Sequence, residues 1–472
     1  MDVDTEDVVA GHYESRKVRA GTHSCVLAPH LKSSLGRNLE GKYGRMFPDL
    51  PINDTADEAL TALGRAGSVM DEGSNQEDED RHADNPCVPA GFTFFGQLIA
   101  HDITADRSLL VHHARFNDIR NFRTPRLDLE SHYGAGPTGE PFLYDMDDSD
   151  KFLIGINDAG KPNDVPRNQQ GRALIADPRD DVHLFVAQLH LAFLKFHNRV
   201  VDHVRAQGTR PEEVFSTARQ LVTWHYQWIV AHEFLPLTVG DEMVEDILTN
   251  GERFYSYSDQ PFLPVEFADA AYRFGHSQIR PLYELNDHAR GRVFPDCDGS
   301  CPVPQEKVLD WRYFFDIDEK RPPQPTKRMD ARFAHTLVEL PSSIVGEGAP
   351  SEEHSLAYRD LVRARSLDLP SGEAIAKAMG VEPLTPEEIG FPELAPGDTP
   401  LLLYILKEAE VREGGVRLGA VGGRIVAEVL LGLIGADERS YMRADDEWTP
   451  TLPSHQPGRF TMADLLRFAG AA

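Results

Sequence analysis

The sequence predicts a mainly α protein: one large helical domain with long functional loops and little β structure. Three observations carry that expectation. Several long segments repeat apolar residues at three- and four-residue steps, no sustained run alternates as strands do, and no internal repeat is present. In GFTFFGQLIAHDIT the apolar positions Phe92, Phe95, Leu98 and Ile99 mark a buried helix. HLFVAQLHLAFLKFHNRVVDHV and FSTARQLVTWHYQWIVAHEFL are long and amphipathic, with Trp224, Tyr226 and Trp228 in the core. VEFADAAYRFGHSQI reads as a helix bounded by Pro264 and Pro281. HSLAYRDLVRARS, PLLLYILKEAEVR and AVGGRIVAEVLLGLIG complete the helical set.

The rest punctuates these helices. Residues 71–85 are polar and acidic, as in a solvated loop. Residues 107–180 are rich in Gly, Pro, Asp and Asn, too long for a passive connection, so they are expected to carry function. The division that follows is an N-terminal region, 1–85, packed on a main domain of 86–472. Hydrophobic residues make up 41% of the 472, enough for a substantial core. The net charge of −28 repels phosphate backbones and argues against nucleic acid or an anionic membrane as partner. No stretch approaches the roughly 20 apolar residues of a membrane span. The acidic N-terminus shows no secretory signal, so a cytoplasmic location, or export without a classical signal, is expected. Four cysteines, Cys25, Cys87, Cys297 and Cys301, are too few for a disulfide scaffold. Cys297 and Cys301 in PDCDGSC read as unpaired surface thiols, and the adjacent His112 and His113 as a surface loop.

Several segments hold candidate site residues. His101 lies on the Phe92–Ile99 helix, beside Asp102 and four residues after Gln97. Alone, such a histidine is usually a satisfied core residue. Further along stand Ala176-Asp177-Pro178-Arg179 and, on the next helix, His197-Asn198-Arg199. Then come Tyr272-Arg273-Phe274-Gly275-His276 and Asp360-Leu361-Val362-Arg363-Ala364-Arg365. Thr124, Arg126, Asp128 and Glu130 alternate two apart, so in an extended loop they face one side.

Taken in order, these motifs resemble those of the animal-type haem peroxidases of the peroxidase–cyclooxygenase superfamily, from about residue 90 to the C-terminus. The resemblance implies that His276 ligates a haem iron. It implies that His101 moves the peroxide proton as general acid and base, that Gln97 holds distal water, and that Arg179 stabilises charge as the O–O bond breaks. Arg273 and Arg363 would bind haem propionates, and Asp360, where the family usually has Asn, would accept the His276 N–H. Asp102, Thr124, the Arg126 carbonyl, Asp128 and Glu130 would hold Ca²⁺. His197 and Asn198 would be structural.

Many animal members esterify haem to an Asp just before the distal His and to a Glu three residues after the distal Arg. Here those positions hold Ala100 and Val182, and Asp181 is out of register, so non-covalent haem b is expected. The implied activity is reduction of hydrogen peroxide, through a ferryl intermediate, at the expense of phenols, iodide, bromide or thiocyanate. Two alternatives stand beside it. A fatty-acid dioxygenase of the same superfamily would need a tyrosine where Arg273 stands, and a degenerate haem-binding protein is opposed by the intact His101, Arg179 and His276 set.

Overall fold

The computed structural model describes residues 43–73, 84–105, 119–257, 260–445 and 447–471. Cys25, His112, His113 and most of the acidic 71–85 segment lie outside these residues. Helices of eight or more residues are numbered α1 (Asp57–Gly64), α2 (Gly91–Ile103), α3 (Leu184–Ala206), α4 (Val214–Ile229), α5 (Asp241–Asn250), α6 (Leu356–Ser366), α7 (Leu401–Glu413), α8 (Ala420–Ala436) and α9 (Met462–Ala469). The strands are short: β1 (Tyr43–Gly44) runs parallel to β3 (Leu263–Pro264), β2 (Asp84–Pro89) antiparallel to β6 (Pro325–Lys327), and β4 (Tyr283–Glu284) antiparallel to β5 (Arg290–Gly291). The expected mainly α architecture is what the chain forms.

α2 is built from the predicted apolar face: Phe92, Phe94, Phe95, Leu98, Ile99 and Ile103 are all buried. It packs on α3, a 23-residue helix about 35 Å long at 1.5 Å per residue. The imidazole of His183 caps α3, its Nδ1 accepting the Val186 N–H at 3.3 Å. α4 packs along α3 and runs through a π-helical turn, Val230–Phe234. That turn brings Phe234 against α2, where a Cβ on Gly96 would stand 3.3 Å from its ring. Tyr226 is fully buried, as the core reading of that segment required. His197 is buried too, held by the Tyr133 hydroxyl at 2.9 Å and the Asp150 carbonyl at 2.8 Å, while Asn198 brackets the backbone of Phe152.

α8 starts where Gly419 abuts the Glu408 carboxylate of α7, which accepts the backbone N–H of Val421 and Gly422. Two described segments preceding α2 contact later parts of the chain. Glu266 accepts the N–H of both Met46 and Phe47 at 3.0 Å, and α1 packs on α6. No helix among the described residues is long and apolar enough to cross a membrane.

Two expectations need correction. The segment after Pro264 is not one helix: a single α turn, Val265–Ala268, is followed by Ala270 at φ −144° and then a 3₁₀ stretch, Ala271–His276. The Asp269 carboxylate, which binds Arg273 and Arg363, sits at that break, so side-chain pairing there accompanies the end of the helix. Cys297 is not a surface thiol. It is buried, and burial pushes its thiol up to about 12, while Cys301 is exposed and both are unpaired.

Candidate active site

A cavity enclosing about 1080 Å³ of atom-free space, part of it open to solvent, lies between α2 and the 3₁₀ stretch that ends at His276. From α2 it takes one face: Thr93, Gly96, Gln97, Ala100 and His101, spaced three and four residues apart. From the opposite side come Tyr272 through His276. Phe92, Phe267, Phe294 and Leu337 make much of the remaining wall apolar.

Each wall carries an imidazole gripped from behind by a buried carboxylate. His101 Nδ1 lies 2.6 Å from Asp180 Oδ1, and His276 Nδ1 lies 2.6 Å from Asp360 Oδ2. An ionised carboxylate can only accept, so in each pair the Nδ1–H donates and, in the neutral imidazole, Nε2 keeps its lone pair. Both carboxylates are fully buried. Burial alone would raise them, but hydrogen bonds and charge from His101 and His190 hold Asp180 below the usual carboxylate range, and those of His276 and Arg273 do the same for Asp360.

Behind His101, Asp180 is shared with His190, 2.8 Å away, whose ring stacks on His132 at 4.0 Å and 11°. His132, Asp180 and His190 are the only His, Cys, Asp or Glu group among the described residues whose ligand atoms converge within 4.8 Å. Parallel rings aim their in-plane lone pairs side by side, which is poor geometry for one ion. Asp180, His190 and His183 are site residues that sequence reasoning missed. His183 Nε2 donates to Gln97 Oε1 at 2.9 Å, a tautomer set by Nδ1 accepting the Val186 N–H.

Three placements differ from the resemblance. Arg179 is not in the cavity wall: its guanidinium is held by Asp177 at 2.7 Å and donates to the carbonyl oxygens of His101, at 2.9 Å, and Thr104. Asp177 also caps its own turn by accepting the Arg179 N–H, so the Asp-x-Arg spacing folds the arginine back. Arg273 lines the cavity but spends its donors on Asp360 (2.6 Å), Asp269 (2.8 Å) and the Ala268 carbonyl (3.3 Å). Arg363 is buried outside the wall and donates to Asp269 at 3.1 Å. Neither arginine faces the cavity as the free propionate partner expected of it.

The loop expected to hold Ca²⁺ wraps onto α2. Buried Asp102 accepts from the Leu129 N–H (3.0 Å) and the Ser131 N–H (3.3 Å), holding Leu129 at φ +57°. Thr124 Oγ1 donates to Glu130 at 3.2 Å, and the Arg126 N–H turns back to the Thr124 carbonyl. Asp128 pairs with Arg439 at 3.4 Å. Burial raises Asp102 and Asp128, and the nearness of Asp128 raises Asp102 further, so without a cation both carboxyls are biased toward the neutral acid. The carboxylate oxygens of Asp102, Asp128 and Glu130 nevertheless do not converge within 4.8 Å. Asp181 is spent on Arg167, with two contacts of 2.7 Å, and accepts the Ser300 N–H on its carbonyl.

The residues fit a haem. His276 presents Nε2 to the cavity, and a Cβ on Gly275 would meet nothing within 4 Å, which leaves open space beside the imidazole. The buried hydroxyls of Thr93 and Tyr272, both in the wall, have no hydrogen-bond partner within the protein.

Comparison with known proteins agrees. The solved structure of peroxidase A from Dictyostelium discoideum superposes with a TM-score of 0.61 at 16% identity, covering 91% of this chain and 93% of that one. Fatty acid alpha-dioxygenase from Oryza sativa superposes at 0.55 and 15% identity, covering 81% and 72%. At such identities the likeness is one of fold. Residues 111–298, which include Arg179 and His276, match the family model for animal haem peroxidase. Heme peroxidase 2 of Caenorhabditis elegans is 35% identical over 111 residues, which cover 22% of this chain and 16% of that protein. Chorion peroxidase of Aedes aegypti is 25% identical over 312 residues, covering 61% and 37%. Thyroid peroxidase of Homo sapiens is 25% identical over 201 residues, covering 38% and 21%. The chain thus spans well under two thirds of the curated relatives it matches.

Proposed function

We propose that this protein is a haem peroxidase that reduces hydrogen peroxide and oxidises small donors such as phenols, iodide, bromide or thiocyanate. The observation that carries this reading is the pair of imidazoles on opposite walls of one cavity, each with Nδ1 held by a buried carboxylate and Nε2 turned to accept. His276 Nε2 would hold the iron. Bound haem b supplies the iron centre that takes up the oxidising equivalents of peroxide. His101 Nε2 takes the proton from the near peroxide oxygen and returns it to the far one as the O–O bond breaks. Gln97 hydrogen-bonds water or peroxide beside it. Arg179 acts one layer back, holding the His101 and Thr104 carbonyls and so the end of α2.

The haem is non-covalent, because Ala100 and Val182 offer no carboxylate and Asp181 is committed to Arg167. Extraction with acidified solvent should release all of it, and haem left on the polypeptide would refute this. The loop formed by Asp102, Thr124, the Arg126 carbonyl, Asp128 and Glu130 binds Ca²⁺, whose charge would favour the ionised forms of Asp102 and Asp128 that burial opposes. A second reading, fatty-acid dioxygenase, gains support from the unpartnered Tyr272 hydroxyl in the cavity wall.

The test is an absorption spectrum of the haem-supplied protein before and after one equivalent of hydrogen peroxide. A high-spin ferric Soret band that shifts on peroxide and returns on adding iodide or a phenol is expected. A haem band indifferent to peroxide would overturn the peroxidase reading, and oxygen uptake with a fatty acid but no peroxide would favour the dioxygenase.

A further inference from the structure

The arginines around the His276 wall are unequally paired. Arg273 and Arg363 face Asp269 and Asp360, both buried, so two guanidinium groups meet two carboxylates and no positive charge is left over. Arg359 differs. It stands one residue before Asp360 on α6 and is only 8% exposed. Its Nε has no hydrogen-bond partner, and its guanidinium has no carboxylate within 4.0 Å among the described residues. Burial pulls it below the ordinary arginine value; Asp360 and Glu353 act against that, and the charge of Arg273 reinforces it. Leu356, one turn earlier on the same face of α6, is in the cavity wall, as is Arg273, while Arg359 itself lies outside the wall, one turn from Leu356. A buried, unpaired cation beside a ligand cavity is costly unless an anion arrives.

We propose that Arg359 is the anion-binding residue of this wall and takes a haem propionate, in place of Arg273 and Arg363. The inference rests on the haem reading above. A propionate reaching Arg359 forms a charge-assisted pair without disturbing the Asp269–Asp360 network that holds His276.

The test uses the full chain, haem b and haem b dimethyl ester, in which both propionates are neutralised. Arg359→Met should weaken binding of haem b by roughly tenfold or more while leaving ester binding unchanged, and Arg359→Lys should restore part of the loss. The melting temperature of the haem-free Arg359→Met protein should rise by a few degrees, because an unpaired buried charge is gone. Equal binding of haem b by wild type and Arg359→Met would overturn the proposal. So would an equal loss for both porphyrins, which would mark Arg359 as merely structural. A wild type that binds neither porphyrin overturns the haem reading and this inference together, whereas binding of both without discrimination between them overturns this inference alone.

Discussion

On one side of the cavity Asp180 is divided between two histidines; on the other Asp360 is divided between a histidine and an arginine. The distances to the cavity imidazoles are the same, 2.6 Å, but the charge balance is not. Arg273 keeps its positive charge at any working pH, so the negative charge of Asp360 is answered permanently. Asp180 has only His101 and His190 against it, and their charge depends on holding a proton. The carboxylate behind His276 is therefore balanced by a fixed cation, and the one behind His101 by imidazoles alone.

Substitutions can break or sharpen this contrast. His276→Ala has the largest expected effect: loss of stable haem incorporation, seen as an absent Soret band, with full loading enough to sink the assignment. Asp180→Asn should next slow the reaction with peroxide by roughly 10²–10³-fold while haem stays bound, because general acid–base help of that order depends on a correctly poised imidazole. Asp360→Asn should do the reverse. It should weaken haem binding roughly 10–100-fold and raise the reduction potential, with a smaller loss in the peroxide step. Stopped-flow rates beside haem titrations decide the matter, and exchanged phenotypes would end the distinction.

The smallest effect concerns buried carboxylates pushed the other way. Burial raises Glu233 to about 8 and Glu408 to about 7. A carboxyl raised in the folded state stabilises fully below its unfolded value and loses that contribution as pH climbs through its folded one. The melting temperature should therefore fall by a few degrees between about pH 5 and 8, and Glu233→Gln should flatten that fall. Asp180 and Asp360, held low, instead contribute above the ordinary carboxylate range and lose it on acidification.

Much of this site was legible because its signals are local. Gln97, Ala100 and His101 share one helical face, and Gly275-His276 sits within a short recognisable string. The α2, α3, α4 and α8 segments were legible from periodicity alone. Asp180 was not, because a carboxylate after Arg179 reads as an acidic residue leading into a helix, and its contact with His101 spans 79 positions. The fates of Arg273 and Arg363 were equally hidden. Whether a guanidinium faces a ligand or a neighbour depends on where Asp269 falls, and periodicity could not see the break at Ala270 that puts it there.

The cap on α3 reaches further than the helix it starts. A peptide N–H fixes which nitrogen of His183 carries hydrogen, that nitrogen engages the Gln97 oxygen, and the amide must then turn its NH₂ group toward open space. The polarity of the helix start is thus passed through two side chains into the chamber, where the glutamine can greet an oxygen atom or a halide but not another donor.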